Sequence, residues 1–496
     1  TFEIFRAHID IDAWLFKLTK KYGQNGIFEL NIGGNRQIVI TRAEYVDKFM
    51  SSAKENLKKN LNRTPNNGLL KLLDLDCKGV ALNDDYNSWK FNRQILSNAF
   101  TTAYNSDETI KITNRLFEEM TDYWMNLRNP NENSATVDAT DWMLRFTNEF
   151  ISVIITGNRT FAIKNYHHKL KTNEVTKEVM ESEKFIEYIS NYIGDGQVIF
   201  IQKHLRLFPF VNGRVNKMMY ILNYINKTLE ERIRKRRKEV EILVNNSNFD
   251  PSQLKNDLLT SMIIANTPYE TKPQKNVDPS LLRPMTNDEI RGIMFDSFWG
   301  GTESVSNETA STICYVLYYI THHPHVKKKL LEEINTVFKD DPNRPIMMED
   351  LNKLKYCEAI IKETSRIRPA VTMTSRYYVQ PDEIAGYKWP ADSFLIMYIR
   401  GINTNPLYWK DPEKFIPERF YDSSEIENRH KFAFPMFGGG FRICLGRNLA
   451  MIEIKIIVAS LYRKFDVELV DMEAPLNVST SIVTVCNNLD VKIIPK

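Results

Sequence analysis

A lone cysteine near the C-terminus, Cys444, has the surroundings of a metal ligand. It lies in the run FGGGFRICLGR at residues 437–447, and an apolar helical pattern follows it. Successive glycines let the backbone turn tightly and approach a flat group closely. A thiol at the start of a helix faces free N–H groups and the positive dipole end, which favours the thiolate. The run predicts a thiolate ligand for iron. A phosphate-binding glycine loop and a buried structural cysteine are the alternatives.

A second candidate site is the stretch GGTES at residues 300–304. It interrupts a helical pattern that opens with the capping box Thr286 to Glu289 and ends near His323. Each glycine in a helix interior costs roughly 1 kcal/mol relative to alanine. The pair therefore predicts either close approach to a flat ligand or a local distortion of the helix. A kink that carries surface polar residues is the alternative.

The run around Cys444 resembles the haem-binding loop of the cytochrome P-450 family, Phe-x-x-Gly-x-Arg-x-Cys-x-Gly, and matches every signature position. The resemblance implies haem b (iron protoporphyrin IX), with Cys444 as the iron ligand. Further cofactor contacts in this loop would come from Phe437, Gly438, Arg442 and Gly446. The similarity follows the family order over nearly the whole chain.

The resemblance also implies a fold. We expect a mainly α protein with small β-sheets, in which haem lies between a long central helix and the helix of the cysteine loop. Residues 1–496 would form a single catalytic domain, with a β-rich N-terminal part at about 1–60. Helical periodicity predicts a helix at 11–22, a helical stretch that runs to residue 100, and mainly helical structure from 107 to 241. Residues 478–485 predict a hairpin, whose tip would enter the pocket.

GGTES resembles the family's oxygen-activation motif, Ala/Gly-Gly-x-Asp/Glu-Thr. Glu303 is the acid, and Ser304 replaces the usual threonine. The chemistry requires protons at oxygen, and an acid, a hydroxyl and water can relay them. Serine keeps the hydroxyl and loses the methyl group. The resemblance therefore implies catalytic roles for Glu303 and Ser304.

Three further sequence elements would hold the haem carboxylates by resemblance. Trp89 and Arg93 share one helix face, where an indole N–H beside a guanidinium suits a carboxylate. A core tryptophan beside a surface arginine is the alternative for this pair. Arg376 and Arg442 would complete the set.

A buried ionic triad is the next expectation. Glu363 and Arg366 lie three residues apart, and Arg419 follows in the run PERF at 417–420. These elements are similar to the Glu-x-x-Arg and Pro-Glu-Arg-Phe motifs of the family. Since a lone buried charge is costly, the three side chains should satisfy one another.

The substrate pocket is expected along one stripe of the central helix. Asp296, Gly300 and Ser304 follow at intervals of four residues, with Trp299 close by. We hypothesise that Asp296 anchors a hydroxyl, a carbonyl-bound water or an amine of the substrate. A bond from Asp296 to nearby backbone or side chains is the alternative. By resemblance, Ala370, Val371 and Met373 also line the pocket.

The implied activity is monooxygenation, in which one atom of O2 enters a lipophilic substrate. A steroid hydroxylation is favoured slightly, and electrons would come from NADPH through NADPH-cytochrome P-450 reductase. A haem-thiolate isomerase or dehydratase without external electrons is the second interpretation. A non-catalytic haem sensor is third, and a glycine-loop nucleotide-binding module is fourth.

Composition limits the partners and the compartment. With 66 Lys+Arg against 62 Asp+Glu the net charge is +4, which does not indicate nucleic acid. The five scattered cysteines favour a reducing compartment. By resemblance to eukaryotic microsomal members, fungal ones among them, we expect a protein at the cytosolic face of the endoplasmic reticulum membrane. We expect its N-terminal anchor to have been trimmed from this sequence, and a soluble protein is the alternative. The apolar connector 198–211 would touch the bilayer or, alternatively, lie in the core.

Overall fold

The structure is a computed structural model. It describes residues 10–32, 35–50, 63, 71, 78–103, 106–128, 131–177, 179–181, 183–185, 187–188, 209–270, 281–304, 306–378, 380–391, 393–480 and 483–496. Most of the predicted membrane-contacting connector, residues 198–208, lies outside this set.

The helices follow the order that the sequence patterns predict. They are Ile11–Tyr22 (α1), Ala43–Met50 (α2), Tyr86–Ala103 (α3), Ser106–Asn126 (α4), Ala139–Thr156 (α5), Ala162–Thr172 (α6), Pro209–Val244 (α7), Leu258–Ile264 (α8), Asn287–Phe298 (α9), Ser306–His322 (α10), Pro324–Val337 (α11), Met348–Lys353 (α12), Lys355–Ile367 (α13), Ile399–Asn403 (α14), Ser423–Glu427 (α15) and Arg447–Lys464 (α16). Short 3-10 turns cover Gly23–Asn25, Pro251–Gln253, Pro417–Phe420 and Gly440–Arg442.

The strands are short. They are Ile27–Ile32 (β1), Asn35–Ile40 (β2), Ala135–Asp138 (β3), Met373–Tyr377 (β4), Asp382–Ile384 (β5), Tyr387–Trp389 (β6), Phe394–Tyr398 (β7), Phe465–Leu469 (β8), Asn477–Thr480 (β9), Thr484–Asn488 (β10) and Asp490–Pro495 (β11). A mainly helical protein with small sheets is therefore confirmed.

The chain divides into two compact units. The first comprises residues 1–65, 113–144 and 306–496, and the second comprises 66–112 and 145–305. The single-domain expectation stays a prediction.

The first unit contains all the sheets of the described residues. The largest has the order β1-β2-β7-β4, in which β7 pairs in parallel with β2 and antiparallel with β4. Every residue of β7 is buried, as expected for an interior strand covered on both faces. This buried support places β4, which carries Arg376 opposite Leu395, at the sheet edge.

The smaller sheets of the first unit are β3-β11-β8, β9-β10 and β5-β6. The hairpin β9-β10 matches the strand pair expected near 478–485, although its tip, 481–482, lies outside the described residues. The backbone N–H of Thr484 donates to the carbonyl of Ala370 at 2.8 Å, so the hairpin is tied to the predicted pocket segment.

The described part of the second unit consists of helices and the turns and loops that join them. Its helix α9 opens with the expected capping box, in which Thr286 Oγ1 accepts from the N–H of Glu289 at 3.2 Å and Glu289 Oε2 accepts from the N–H of Thr286 at 2.9 Å. A π turn, Trp299–Ser304, follows directly. Such a turn is the local distortion that the paired glycines predict.

Candidate functional site

The cysteine loop holds its shape through its glycines. Gly438 and Gly440 have φ of 73° and 60°, a conformation that a side chain disfavours. At Gly439 a Cβ would lie 2.5 Å from Phe432 Cε1, so this position has no room for one. The N–H of Cys444 donates to the carbonyl of Phe437 at 2.9 Å and closes the loop.

The thiol of Cys444 is partly exposed, while Cys314, Cys357 and Cys486 are buried. The helix α16 begins at Arg447, with Gly446 as its N-cap, directly after the loop. A Cβ on Gly446 would lie 3.9 Å from Cys444 Sγ. Cys444 is thus the accessible thiol among these four, and it lies just before a helix N-terminus, where a thiolate is favoured.

Positive charge accumulates close to this loop. Arg442 is buried, and its carbonyl lies 3.5 Å from Nη2 of Arg63. The hydroxyl of Ser375 donates to the carbonyl of Arg63 at 2.8 Å, which ties Arg63 to β4. Burial, together with a smaller contribution from the charge of Arg63, lowers the pKa of the Arg376 guanidinium to about 9. Within the described ranges no carboxylate lies within ion-pair distance of Arg376. The pair of guanidinium groups suits an anionic ligand.

The predicted triad residues come together in the first unit. Arg366 contacts Glu363 through two parallel bonds, Nε to Oε2 at 2.7 Å and Nη2 to Oε1 at 2.8 Å. Arg419 Nε lies 3.4 Å from Glu363 Oε1, and all three residues are buried. Arg366 also donates to the carbonyls of Asn403 and Pro412, at 3.0 and 2.8 Å. The triad joins α13 to the loop that precedes the cysteine run.

The second unit carries the other predicted residues except Ala370, Val371 and Met373, which lie in the first unit. Trp89 and Arg93 lie on α3, with Trp89 buried and Arg93 half-buried. The backbones of Glu303 and Ser304 lie in the π turn, and their side chains are outside what the structure describes. A Cβ on Gly301 would lie 2.3 Å from Ile151 Cγ1. Gly301 therefore permits the close approach of α5. The sequence pattern indicated a close approach at this glycine but did not show that the approaching group is a helix and not a ligand.

Asp296 holds a loop of the second unit. Its Oδ2 accepts from the N–H groups of Val80 and Ala81 at 2.5 and 2.7 Å. A Cβ on Gly292 would lie 2.6 Å from the nitrogen of Gly79, so loop and helix pack backbone to backbone. The bond to nearby backbone, one of the two sequence alternatives, is present. The contact with substrate stays a prediction, as do those of Trp299, Gly300, Ala370, Val371 and Met373.

Two residues of this region were missed by sequence reasoning. Arg63 lies in a stretch without periodicity, so no signal marked it. Glu453 lies within the apolar run of α16, is fully buried and has no hydrogen-bond partner in the described part of the chain. Burial raises its pKa well above the ordinary value. The sequence did contain a signal for a buried acid, because Glu453 lies between apolar residues in the run MIEIKII at 451–457.

The comparison with protein-family models identifies the class. The Cytochrome P450 model matches residues 6–493, and the chain therefore belongs to the cytochrome P450 family. Haem is the cofactor of this family, as the cysteine loop predicted.

The similar proteins agree with this assignment. Cytochrome P450 4V2 of Rattus norvegicus is 28% identical over 281 residues, 56% of this chain and 50% of that protein. The match thus spans about half the length of this relative. The 2-hydroxyisoflavanone synthase of Glycine max is 25% identical over 463 residues, 92% of this chain and 80% of that protein.

Solved structures show the same fold. The heme domain of cytochrome P450DA superposes with a TM-score of 0.75 at 17% identity, covering 98% of this chain and 93% of the other. A zebra fish cytochrome P450 with progesterone has a TM-score of 0.73 at 18% identity, covering 99% and 100%.

The residues present fit haem. The accessible thiol of Cys444 can bind iron, and the buried guanidinium of Arg376 has no carboxylate within ion-pair distance among the described residues. The propionates of haem supply such carboxylates. Arg376, Arg63 and Arg442 would hold them from the first unit.

Proposed function

We propose that this chain is a haem-thiolate monooxygenase that hydroxylates a lipophilic substrate with one atom of O2. The observation that carries the proposal is the partly exposed thiol of Cys444 on its closed loop, together with the buried guanidinium of Arg376, which has no carboxylate at ion-pair distance among the described residues. When bound, haem with a thiolate ligand activates O2, and electron donation by the thiolate favours O–O cleavage.

The chain's own residues would divide the remaining work. The loop hydrogen bond from Cys444 to Phe437 holds the thiol in place, and Arg376 fixes the haem carboxylates. The π turn opens the backbone ladder where the Glu303 carboxyl and the Ser304 hydroxyl would carry protons. Since serine lacks the methyl group of threonine, this hydroxyl is held less firmly.

The substrate would be a lipophile, with a steroid as our first choice. In this proposal Asp296, Trp299 and Gly300 line the pocket together with Ala370, Val371 and Met373. Asp296 orders the loop at 79–81 through its two backbone bonds, and it also presents charge to a polar group of the substrate.

The partner and the location belong to the same proposal. Electrons would come from NADPH-cytochrome P450 reductase, at the cytosolic face of the endoplasmic reticulum membrane. Among the helices that the structure describes, none combines the length and apolarity needed to cross a bilayer.

One set of spectra and turnover assays tests the activity. The reduced, carbon-monoxide-bound protein should show the strongly red-shifted Soret band of a thiolate ligand. Cys444→Ser should lose this band, whereas Cys357→Ala, which removes a buried thiol elsewhere, should keep it. A panel of steroids, fatty acids and terpenoids is then screened for spin-state shifts and for NADPH-dependent products.

The outcomes separate the candidate functions. Hydroxylated product that requires NADPH and the reductase supports the proposal. Product formed without NADPH would assign the isomerase or dehydratase class instead, and haem binding without product from any tested lipophile would favour a sensor.

A further inference from the structure

The second unit contains a cavity with no assigned role, between α5, α6, α7 and α9. Its volume is about 450 Å3, within the range of sites for small organic ligands. Polar side chains from three of these helices and from the turn between α5 and α6 line it: Asn148, Ser152, Thr160, Lys164, Asn165 and Arg232. Hydroxyls, amides and cations can all donate hydrogen bonds.

Arg232 is a half-buried cation with no counterion among the described residues. Its Nη1 is inaccessible to solvent and has no hydrogen-bond partner in the described part of the unit. No carboxylate among the described residues lies within ion-pair distance of it. The rings of Phe185 and Phe298 lie 5.0 and 5.5 Å from its Cζ and compensate in part. Since a guanidinium stays charged, this arrangement favours an added anion.

The carboxylates near the cavity are already engaged. Glu149 is fully buried, and its Oε1 forms an ion pair with Nη2 of Arg159 at 2.5 Å. Its Oε2 accepts a hydrogen bond from the N–H of Ile163 at 3.2 Å. Glu181 is largely exposed and lies 3.9 Å from Lys177. Neither neutralises Arg232, so an anion that enters the cavity meets an uncompensated positive charge.

A second buried donor points to the same conclusion. The hydroxyl of Thr160 is inaccessible and has no hydrogen-bond partner within the described ranges. A buried polar group without a partner costs roughly 1–3 kcal/mol. Thr160 and Arg232 both line the cavity, so rotation of either side chain toward the cavity would let a ligand oxygen accept its hydrogen bond.

The cavity is separate from the predicted substrate stripe. Phe298, which lines the cavity, follows Asp296 by two positions in the regular part of α9. Two positions correspond to about 200° of rotation around an α-helix. The cavity therefore faces the side of α9 opposite to Asp296.

We propose that this cavity binds a small organic anion through a carboxylate or phosphate group held by Arg232. A planar guanidinium matches both groups through two parallel hydrogen bonds. The neutral part of the ligand would form hydrogen bonds with the side chains of Asn148, Asn165 and Thr160. Lys164 lies at the exposed rim of the cavity.

Calorimetric titration of the haem-loaded protein tests this. The probes are inorganic phosphate, glycerol 3-phosphate and succinate, with uncharged glycerol as their neutral counterpart and chloride at matched ionic strength. We expect saturable binding of at least one oxyanion and none of glycerol. The phosphate and succinate arms distinguish a phosphate ester from a carboxylate.

Variants locate the site. Arg232→Gln should weaken binding by about tenfold or more, equivalent to about 1.4 kcal/mol. The matched control is Arg234→Gln on the same helix, an exposed residue that bonds to its own helix through the Glu230 carbonyl at 3.4 Å. It should change affinity less than twofold. Thr160→Val gives a second measurement that leaves the guanidinium in place, and it should also weaken binding.

Three results would overturn the proposal. The first is that no oxyanion binds saturably. The second is that Arg232→Gln and Arg234→Gln lose the same amount of oxyanion affinity. The third is that oxyanion affinity is unchanged in both Arg232→Gln and Thr160→Val. Haem content and the carbon monoxide spectrum, measured on each variant, show that the fold is retained.

Discussion

Two groups of buried arginines in the first unit differ in how their charge is balanced. Arg366 and Arg419 share the carboxylate of Glu363, at 2.7 and 3.4 Å. Arg376 is buried as deeply, has no carboxylate at ion-pair distance in the described part, and has a pKa lowered to about 9. The chain neutralises Arg366 and Arg419 itself, whereas Arg376 has no carboxylate counterion among the described residues.

The difference separates a structural role from a binding role. Unpaired charges in a protein interior are destabilising, so a folded protein retains them where something else supplies the counterion. In the proposed function, the haem carboxylates would supply that counterion for Arg376. In the second unit, Arg232 likewise has no carboxylate at ion-pair distance among the described residues.

The largest effect is expected when the self-balanced group is broken. Arg366→Ala leaves three backbone carbonyls without their donor and removes the fork that holds Glu363. Breaking a buried pair costs about 3–5 kcal/mol, so we expect loss of folded, haem-loaded protein. Circular dichroism and haem content measure this. The control, Lys362→Ala, breaks a partly exposed pair with Glu358 and should cost less than about 1 kcal/mol. A fully haem-loaded Arg366→Ala protein would contradict the triad.

The ligand-balanced group should respond differently. Arg376→Gln removes a buried cation, so we expect the haem-free protein to be no less stable than wild type. Haem affinity should fall about tenfold to a hundredfold, because one charge-assisted contact is worth about 1.5–3 kcal/mol. Haem transfer to an apoprotein acceptor measures this. Arg36→Gln, which breaks an exposed pair on β2, is the control and should leave haem affinity unchanged. Haem-free Arg376→Gln that is markedly destabilised would contradict the distinction.

Glu453 is a third case, a buried acid that avoids an unpaired charge because it keeps its proton. Its pKa is raised by burial, so the unfolded state loses the proton first as pH rises above about 4.5. The stability of the wild type should therefore decline with rising pH. Glu453→Gln removes this loss, and at pH 8 we expect about 1–3 kcal/mol more stability than wild type.

Chemical denaturation from pH 5 to pH 8 measures this difference. Glu468→Gln, at an exposed position of β8, is the matched control and should follow wild type. A difference between Glu453→Gln and wild type that stays constant with pH would contradict the proposed protonation.

Asp296 provides the smallest and most discriminating test. Asp296→Ala leaves the N–H groups of Val80 and Ala81 without their acceptor, at a cost of about 1–2 kcal/mol. Asp296→Asn keeps an oxygen acceptor and removes the charge. Hydrogen exchange at these two amides should accelerate in the alanine variant and change little in the asparagine variant.

Substrate-induced spin-state shifts then separate the two roles of Asp296. Equal losses of affinity in both variants would indicate a charge contact with the substrate. Affinity that asparagine restores would indicate loop positioning alone. Unchanged affinity and product pattern in Asp296→Ala would remove it from the substrate pocket.

Local patterns predicted a large part of the fold. The helix at 11–22, the capping box at Thr286, the hairpin near 478–485 and the distortion at Gly300–Gly301 all depend on neighbours within a few residues. Short-range hydrogen bonding and side-chain periodicity determine such features, and both are visible in the sequence. The cysteine loop and the family class were visible for the same reason.

The sequence by itself determined the chemistry of this protein, because a thiol on a glycine loop and a helix interrupted by GGTES are local arrangements. Only the tertiary structure decided which charges are balanced. Arg63 lies close to Arg376, and Asp296 binds the loop at 80–81, through contacts between residues far apart in the chain. Among the described residues, Arg232 has no ion-pair partner and the Glu453 carboxyl has no hydrogen-bond partner. Burial sets the energy of those charges, and burial exists only once the helices and sheets have packed.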